Sequence, residues 1–241
     1  MSGHSKWKNI MHKKEKTDAA RAKVFTKVGK EIAMAVRDGG PDPVANGKLR
    51  DLITKAKSLN VPNDNIKRII EKASDSGAAA YEIVVYEGYG PGGVAVIVET
   101  ATDNRNRTAP MVRHAFSKYG GSLGTTGCVS FLFQDKGVIV IDNEDGDIEE
   151  DTLMDEALEA GAGDFSSEDG VFEIYTEPSD FSEVCDALAG KGYKFVSADL
   201  AKVPVTYVEL TDPDQQEQMQ KLLDLLEEDD DVQNVWHNWD D

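Results

Sequence analysis

The order of strand and helix patterns in residues 137–203 strongly limits the folds that this chain can adopt. Short runs rich in β-branched residues at Val138–Ile141 and Val171–Thr176 predict strands, and apolar stripes at helical spacing follow each of them. The full set of predicted elements is strands at 138–141, 164–167, 171–176 and 193–200 and helices at 151–160 and 179–189. This order, βαββαβ, is that of the split-βαβ or ferredoxin-like sandwich.

The flanking sequence repeats the same order when residues 137–203 are left out. It predicts strands at 94–98, 127–133, 205–210 and 232–236, and helices at 107–118 and 213–228. We therefore expect one ferredoxin-like α/β domain to be inserted into the middle hairpin of another, with Ile83–Tyr86 as an added edge strand. The glycine-rich loop 87–93 leads into a strand and lacks a following Lys-Ser or Lys-Thr pair, which favours a hairpin over a phosphate cradle.

Helical patterns fill the chain from Asp18 to near Gly77. The first helix ends at Gly39–Pro41, the second covers 44–59, and the third begins at Pro62. The predicted fold class is therefore α+β, with an N-terminal three-helix domain that carries a basic arm and two ferredoxin-like domains after it. The predicted boundaries are 1–80 for the helical domain, 81–134 plus 204–241 for the discontinuous α/β domain, and 135–203 for the inserted domain.

The charge distribution separates the N-terminal region from the rest of the chain. The whole chain has a formal net charge of -19, yet residues 1–80 hold 17 Lys or Arg against 9 Asp or Glu. The remaining 9 basic and 36 acidic residues give residues 81–241 a net charge of -27. Because an acidic surface repels a polyanion, a nucleic acid has one favourable place to bind.

The N-terminal segment interleaves His4 and Trp7 with lysines. Ammonium groups neutralise phosphates and an aromatic face stacks on a base, a combination that suits unpaired nucleic acid. Two alternatives stay open: Trp7 packs against the helices behind it, or the basic run is a solvated tail. In the first helix, lysines lie opposite the apolar stripe. The predicted nucleic-acid-binding residues are His4, Lys6, Trp7, Lys8, Lys13, Lys14, Lys16, Arg21, Lys23, Lys27 and Lys30.

A second group of cations lies in the acidic region, on the helix predicted at 107–118. Arg107, His114 and Lys118 fall within about 40° of one another around the helix axis. Helix N-terminal amides lie beside them. A second phosphate contact is predicted at Arg105, Arg107, Arg113, His114 and Lys118. The alternative is that these cations form ordinary surface salt bridges with the many carboxylates.

The sequence contains no recognisable catalytic or metal-binding set. Cys128 and Cys185 are too few for a disulfide framework or a four-ligand zinc site, and the four His show no ligand spacing. The chain has no apolar run long enough to span a membrane and no signal-peptide core. We expect a cytoplasmic protein that is not an enzyme and has no metal, cofactor, membrane or small-molecule substrate.

Several long motifs resemble those of the YebC/PmpR family of transcriptional regulatory proteins. They are the opening SGHSKWKNIMHKKEKTDAARAKVFTKVGKEI, the loop YEGYGPGG, TDNRNRT, VRHAFSKYGG and LGTTGCVSFLF. The resemblance extends over the whole chain, and Cys128 departs from it where a small or polar residue is usual. It implies a helical N-terminal domain followed by two α/β domains, and a cytoplasmic, non-enzymatic regulator of gene expression. Members of the family that the chain resembles are named for DNA binding and transcription control, a mitochondrial relative is a translational activator, and other members are linked to the ribosome.

Two functional hypotheses follow, with DNA or ribosomal RNA as the partner. The first is a DNA-binding transcriptional regulator, which the family name favours. The second is a ribosome-associated RNA-binding translation factor, with the ribosome as its partner. The chain has no helix-turn-helix signature with a clear base-reading helix. An aromatic, lysine-rich arm suits the unstacked bases of structured RNA.

Overall fold

The computed structural model describes residues 18–75, 80–143, 145–168 and 170–240, with side chains from residue 22 onward except at 58. In chain order, the elements are α1 (Asp18–Gly39), α2 (Gly47–Ser58), α3 (Asn63–Ser74), β1 (Glu82–Tyr89), β2 (Ala95–Thr102), α4 (Arg105–Lys118), β3 (Ser122–Leu123), β4 (Phe133–Asp142), α5 (Glu150–Glu159), β5 (Asp164–Glu168), β6 (Val171–Thr176), α6 (Phe181–Gly190), β7 (Ser197–Pro204), β8 (Val208–Glu209), α7 (Pro213–Glu228), β9 (Val232–His237) and β10 (Trp239–Asp240). Short 3-10 turns occur at Pro91–Gly93 and Ser130–Leu132. None of the helices in these residues is apolar over a length that could cross a bilayer.

Contacts divide the described chain into two compact units. The first unit contains residues 18–129 and Leu210–His237, so the three N-terminal helices share it with α4, α7 and the sheet beside them. The second unit contains Ser130–Glu209 and residues 238–240. The division into three domains with boundaries at 80, 134 and 203 stays a prediction.

The N-terminal helices pack through their predicted apolar stripes. Val28, Ile32, Leu49 and Ile66 are at most 5% exposed and form the centre of this core. Helix α2 begins three residues later than the pattern predicted. The reason is local, because the side-chain Oδ1 of Asn46 accepts a hydrogen bond from the Leu49 amide at 3.1 Å and caps the helix there.

The sheet of the first unit has the strand order β3-β1-β2-β9, with each neighbouring pair antiparallel. Strand β1 was predicted at the edge but lies inside, between β2 and β3. Gly88 permits this arrangement, because a Cβ there would lie 2.5 Å from the Ser122 carbonyl oxygen and 2.8 Å from a ring carbon of Phe116. Helix α4 and strand β3 can therefore approach β1 closely.

Two strands predicted for this sheet are wrong. Residues 127–132 form a turn and a 3-10 helix, because the buried Glu87 carboxylate accepts the amides of Gly127 and Val129 at 2.8 and 2.9 Å. Those amides are consequently directed away from strand pairing. The strand predicted at 205–210 shrinks to β8, which pairs in parallel with β10 in the second unit. Strand β1, which a short hairpin joins to β2, occupies the sheet position that was expected for the strand at 205–210. A hairpin between neighbouring strands closes at a lower entropic cost than a pairing between strands that are distant in the chain.

The inserted module confirms the βαββαβ prediction. Its sheet has the order β5-β6-β4-β7 with every pair antiparallel. Helices α5 and α6 cover one face, where Ile139, Ile174, Leu153 and Leu188 are fully buried. Phe133 and Pro204, at the two ends of the module, are paired across β4 and β7. The α+β fold class with an N-terminal helical region is confirmed.

Candidate nucleic-acid interface

The predicted interface is only partly covered by the described residues. His4, Lys6, Trp7, Lys8, Lys13, Lys14 and Lys16 lie outside them, and Arg21 lies in the first turn of α1 without a described side chain. The predicted residues with described side chains are Lys23, Lys27 and Lys30 on α1 and the cations of α4.

The lysines opposite the apolar stripe of α1 form hydrogen bonds with other parts of the first unit. Lys23 Nζ donates to the Glu228 carbonyl oxygen at 3.0 Å, and Lys27 Nζ donates to that of Gln233 at 3.1 Å. Arg37, in the last turn of α1, donates to the Tyr81 carbonyl oxygen at 2.7 Å. This face of α1 therefore contacts the segments around β9 and β1. Nucleic-acid binding by Lys23 and Lys27 stays a prediction.

Lys30 is the most strongly held of these lysines. It is 8% exposed, and its ammonium donates to the carbonyl oxygens of Ala101 and Asp230 and to Asp231 Oδ1, at 3.0, 2.8 and 2.7 Å. Three acceptors match the three N–H bonds of an ammonium group. In this arrangement Lys30 has no donor left for a phosphate, so its role is to attach α1 to the sheet.

Asp231 is the centre of a buried polar cluster. Its Oδ2 accepts from Arg107 at 2.6 Å, from the Thr108 hydroxyl at 2.9 Å and from the Thr102 hydroxyl at 3.2 Å. Burial acts to raise the pKa of Asp231, but the hydrogen bonds from Lys30, Arg107 and Thr108 outweigh it and lower the pKa to about 2. The aspartate therefore stays charged and neutralises the cations around it.

Sequence reasoning missed this cluster. Asp231 is the last of five consecutive acidic residues, and such a run is typical of solvated surface. Thr102 and Thr108 gave no signal either, because single threonines on a strand and a helix are common. Only the meeting of α1, the end of β2 and the start of α4 distinguishes Asp231 from its four neighbours.

The residues predicted to form a second phosphate contact fall into two groups in the structure. Arg105 forms two hydrogen bonds with Glu82, and Arg107 also donates to Asp103 at 2.9 Å, so both guanidinium groups pair with carboxylates. Salt bridging, the alternative interpretation, describes these two residues. Arg113, His114 and Lys118 are exposed farther along α4, and Lys118 Nζ lies 5.1 Å from the ring centroid of Tyr119.

Helices α2 and α3 supply exposed cations that were not among the predicted site residues. Their positions off the apolar stripes were the signal that could have identified them. Lys55 also lies off the stripe but is half-buried and 3.3 Å from Glu31. The exposed cations of the two helices are Lys48, Arg50, Lys57, Lys67, Arg68 and Lys72.

A groove of about 760 Å³ lies beside α1 and α3. Its lining includes the aromatic rings of Phe25 and Tyr81 and the cations Arg37 and Lys72. Both rings are half-buried and both cations are exposed. Aromatic faces next to cations are the groups that hold unpaired bases and their phosphates.

The described residues contain no His, Cys, Asp or Glu group of three or more that could hold a metal ion. Burial raises the pKa of the Cys185 thiol to about 12, and burial together with the Glu87 carboxylate raises the pKa of Cys128. Both thiols therefore stay protonated near neutral pH, whereas nucleophilic cysteines need a lowered pKa.

Comparisons with known proteins agree with this architecture. A model described as the TACO1/YebC N-terminal domain matches residues 5–76, and a model of the TACO1/YebC second and third domain matches residues 81–239. A protein of Acetivibrio thermocellus named "Probable transcriptional regulatory protein" is 60% identical over 240 residues, covering 99% of both chains. A protein of the same name from Lachnoclostridium phytofermentans is 55% identical over 242 residues and covers all of both chains.

A solved structure is similar throughout the fold. The crystal structure of the conserved hypothetical protein Aq1575 from Aquifex aeolicus has a TM-score of 0.85 and 43% sequence identity, and the match covers 93% of this chain and 92% of that one. The family expected from the motifs is confirmed, and the chain belongs to the TACO1/YebC family.

Proposed function

We propose that this protein is a cytoplasmic, non-enzymatic regulator of gene expression that binds DNA and controls transcription. Its relatives carry the name of transcriptional regulatory proteins, which supports the regulatory role. The nucleic-acid contact would be formed by the basic segment before α1 and by the helical region. Arg113, His114 and Lys118 on α4 remain candidates for a second contact.

The observation that carries this proposal is the location of the exposed positive charge. In a chain of net charge -19, six exposed cations lie on α2 and α3, although α1 uses its own lysines to hold the sheet. Phosphate contacts come from exposed Lys and Arg and dominate affinity for nucleic acid. The three hydrogen bonds of Lys30 would give those helices a fixed attachment to the rest of the unit.

A salt-dependent binding measurement tests the proposal. The variant Lys48→Gln, Lys67→Gln, Arg68→Gln is compared with wild type by fluorescence anisotropy on labelled DNA at several salt concentrations. Each lost phosphate contact should reduce the slope of log affinity against log salt by about 0.7 to 0.9. The matched control, Lys191→Gln, Lys194→Gln, Lys202→Gln, removes three cations from the inserted module and should leave the slope unchanged. Equal effects of the two variants would contradict the proposal.

A second candidate function is a ribosome-associated RNA-binding translation factor. The groove lined by Phe25, Tyr81, Arg37 and Lys72 supports it, because rings beside cations suit unpaired bases more than a closed duplex. Crosslinking in cells followed by sequencing of the bound nucleic acid separates the two candidates. Recovery of ribosomal RNA would favour translation, and recovery of promoter DNA would favour transcription.

A further inference from the structure

Helices α2 and α3 form a helix-turn-helix unit. Only the four residues 59–62 connect the end of α2 with the start of α3. Both helices pack against α1, and they contact each other much less than they contact α1. In the helix-turn-helix domains of DNA-binding proteins, two helices are likewise joined by a turn of three or four residues, and the second helix enters the major groove.

Asn60 fixes the turn. It has a left-handed backbone conformation, with a φ of 60°. Its amide donates to the Lys57 carbonyl oxygen at 3.0 Å, and the Val61 amide donates to that of Ala56 at 2.9 Å, which is the Schellman closure of a helix. Val61 is 5% exposed and belongs to the core of the N-terminal helices. The sequence pattern alone does not show this unit, because Asn60 occupies the left-handed position at which glycine is usual.

The side of α3 opposite its apolar stripe faces solvent. Ile66 packs in the helical core, whereas the first two residues of the helix, Asn63 and Asp64, are exposed. Lys67 and Arg68 follow one turn later and are exposed as well. None of these four exposed side chains has a hydrogen-bond or salt-bridge partner within the part of the chain that the structure describes. The lysines of α1, by contrast, are already bound within the unit.

The chemistry of this face suits base edges that are flanked by phosphates. Lys67 and Arg68 supply positive charge for the DNA backbone, as does Lys48 on α2. Asp64 lies between Lys67 and Arg68 around the helix axis, and a carboxylate there would repel a phosphate. It can instead accept a hydrogen bond from the amino group of cytosine, and the Asn63 amide can pair with adenine. This mixed set of donors and acceptors favours base contacts in the first turn of α3.

We propose that α3 binds in the major groove of duplex DNA, with Asn63 and Asp64 on base edges and Lys67 and Arg68 on the adjacent phosphates. The major groove of B-DNA is about 12 Å wide and admits an α-helix. The major groove of an RNA duplex is too narrow for side chains to read. The inference rests on the proposed function and deepens it from DNA binding to the recognition of particular bases.

A selection from random DNA tests the inference. The full chain is incubated with a library of DNA duplexes whose central base pairs are randomised, and the bound duplexes are sequenced after several rounds. We expect an enriched motif that contains an adenine and a cytosine position. Fluorescence anisotropy then compares the enriched duplex with duplexes that carry one changed base pair. For the wild type, a change at the adenine position should weaken binding about 5- to 150-fold.

Substitutions separate base contacts from phosphate contacts. Asn63→Ala, which changes no charge, should lose the preference at the adenine position and leave the dependence of affinity on salt unchanged. Asp64→Ala should lose the cytosine preference but bind unrelated duplexes at least as tightly as the wild type, because a negative charge is removed. Lys67→Gln should weaken binding to all duplexes about equally. The matched control, Asn106→Ala, changes an exposed asparagine in the first turn of α4 and should keep the motif.

Circular dichroism melts of each variant ensure that a loss of fold is not taken for a loss of base contact. Tight binding to the library without an enriched motif would overturn the inference and leave the proposed function standing. A motif that both Asn63→Ala and Asp64→Ala retain would overturn the inference as well. Lack of affinity for the DNA library, together with enrichment from a matched library of RNA hairpins, would overturn both the inference and the proposed function.

Discussion

Lys30 Nζ lies 2.7 Å from Asp231 Oδ1, and both side chains are less than 10% exposed. This ion pair connects the middle of α1 with the residue just before β9, 201 positions later in the chain. The contribution of this ion pair to stability depends on the other hydrogen-bond partners of the two side chains. Lys30 donates to two carbonyl oxygens, and Arg107, Thr102 and Thr108 saturate the other oxygen of Asp231. A buried pair with all partners present is stable, whereas a half-pair is costly.

Removing the acidic partner should therefore destabilise the first unit strongly. We expect Asp231→Ala to lower the free energy of unfolding by about 3 to 5 kcal/mol, because Lys30 would remain buried without its counterion. Urea unfolding monitored by circular dichroism measures this change. Asp103→Ala is the control, since it removes only the partly exposed partner of Arg107 and should have little effect. Similar losses in both variants would contradict a special role for Asp231.

The lowered pKa of Asp231 predicts an acid-dependent loss of stability. Its pKa falls from 3.8 to about 2 in the folded protein, so the native state favours the charged form. The stabilisation is fully present above pH 4 and is lost as the pH falls from about 4 to 2. It amounts to roughly 2 kcal/mol by linkage.

Urea midpoints at pH 6, 4, 3 and 2 would measure this dependence. Asp231→Asn should lose less stability than wild type between pH 4 and pH 2, because its side chain does not titrate. Other carboxylates titrate in both proteins, so the difference between the two curves isolates Asp231. Parallel curves would show that Asp231 does not titrate with the predicted pKa.

A substitution of Trp7 distinguishes stacking of its ring on a base from packing of the ring against the helices. If its ring stacks on a base, Trp7→Ala should weaken nucleic-acid binding by about 1 to 3 kcal/mol and leave the melting temperature unchanged. Anisotropy and a thermal scan on the same preparation measure both quantities. A lowered melting temperature with unchanged binding would support packing against the helices instead.

The exposed part of α4 can be tested separately from the anchored part. Arg113→Gln with Lys118→Gln should reduce the slope of log affinity against log salt by more than about one unit if both residues contact phosphate. These two residues are chosen because Arg107 holds Asp231 and its loss would mix binding with stability. An unchanged slope would assign this ridge to the ordinary protein surface.

The inserted module should fold by itself. Residues 133–204 contain all four strands and both helices of the βαββαβ unit, with a buried core of their own. The isolated segment should give a mixed α/β circular dichroism spectrum and a cooperative melt. Leu188→Ala, which creates a cavity in that core, should lower its melting temperature clearly. A segment without a cooperative transition would show that the module depends on the rest of the chain.

Local patterns were sufficient for the inserted module and for the three N-terminal helices. Strand alternation and helical apolar stripes are properties of neighbouring residues, so Val171–Thr176 and the stripe of α1 could be assigned without knowledge of the fold. The motifs likewise identified the family. They could not show the location of strand β1 inside its sheet, because pairing partners are set by competition among distant strands.

The sequence by itself determined the fold class, the order of most elements and the contrast between a basic N-terminal region and an acidic remainder. Only the tertiary structure decided which charges are free. A helical wheel places Lys23, Lys27 and Lys30 opposite the apolar stripe, but it contains no information about what lies against that side. In the folded protein carbonyl oxygens and Asp231 lie there. Asp231, one of five consecutive acidic residues, is the counterion of Lys30 on α1. A buried ammonium group has lost its hydration and therefore requires an opposite charge nearby.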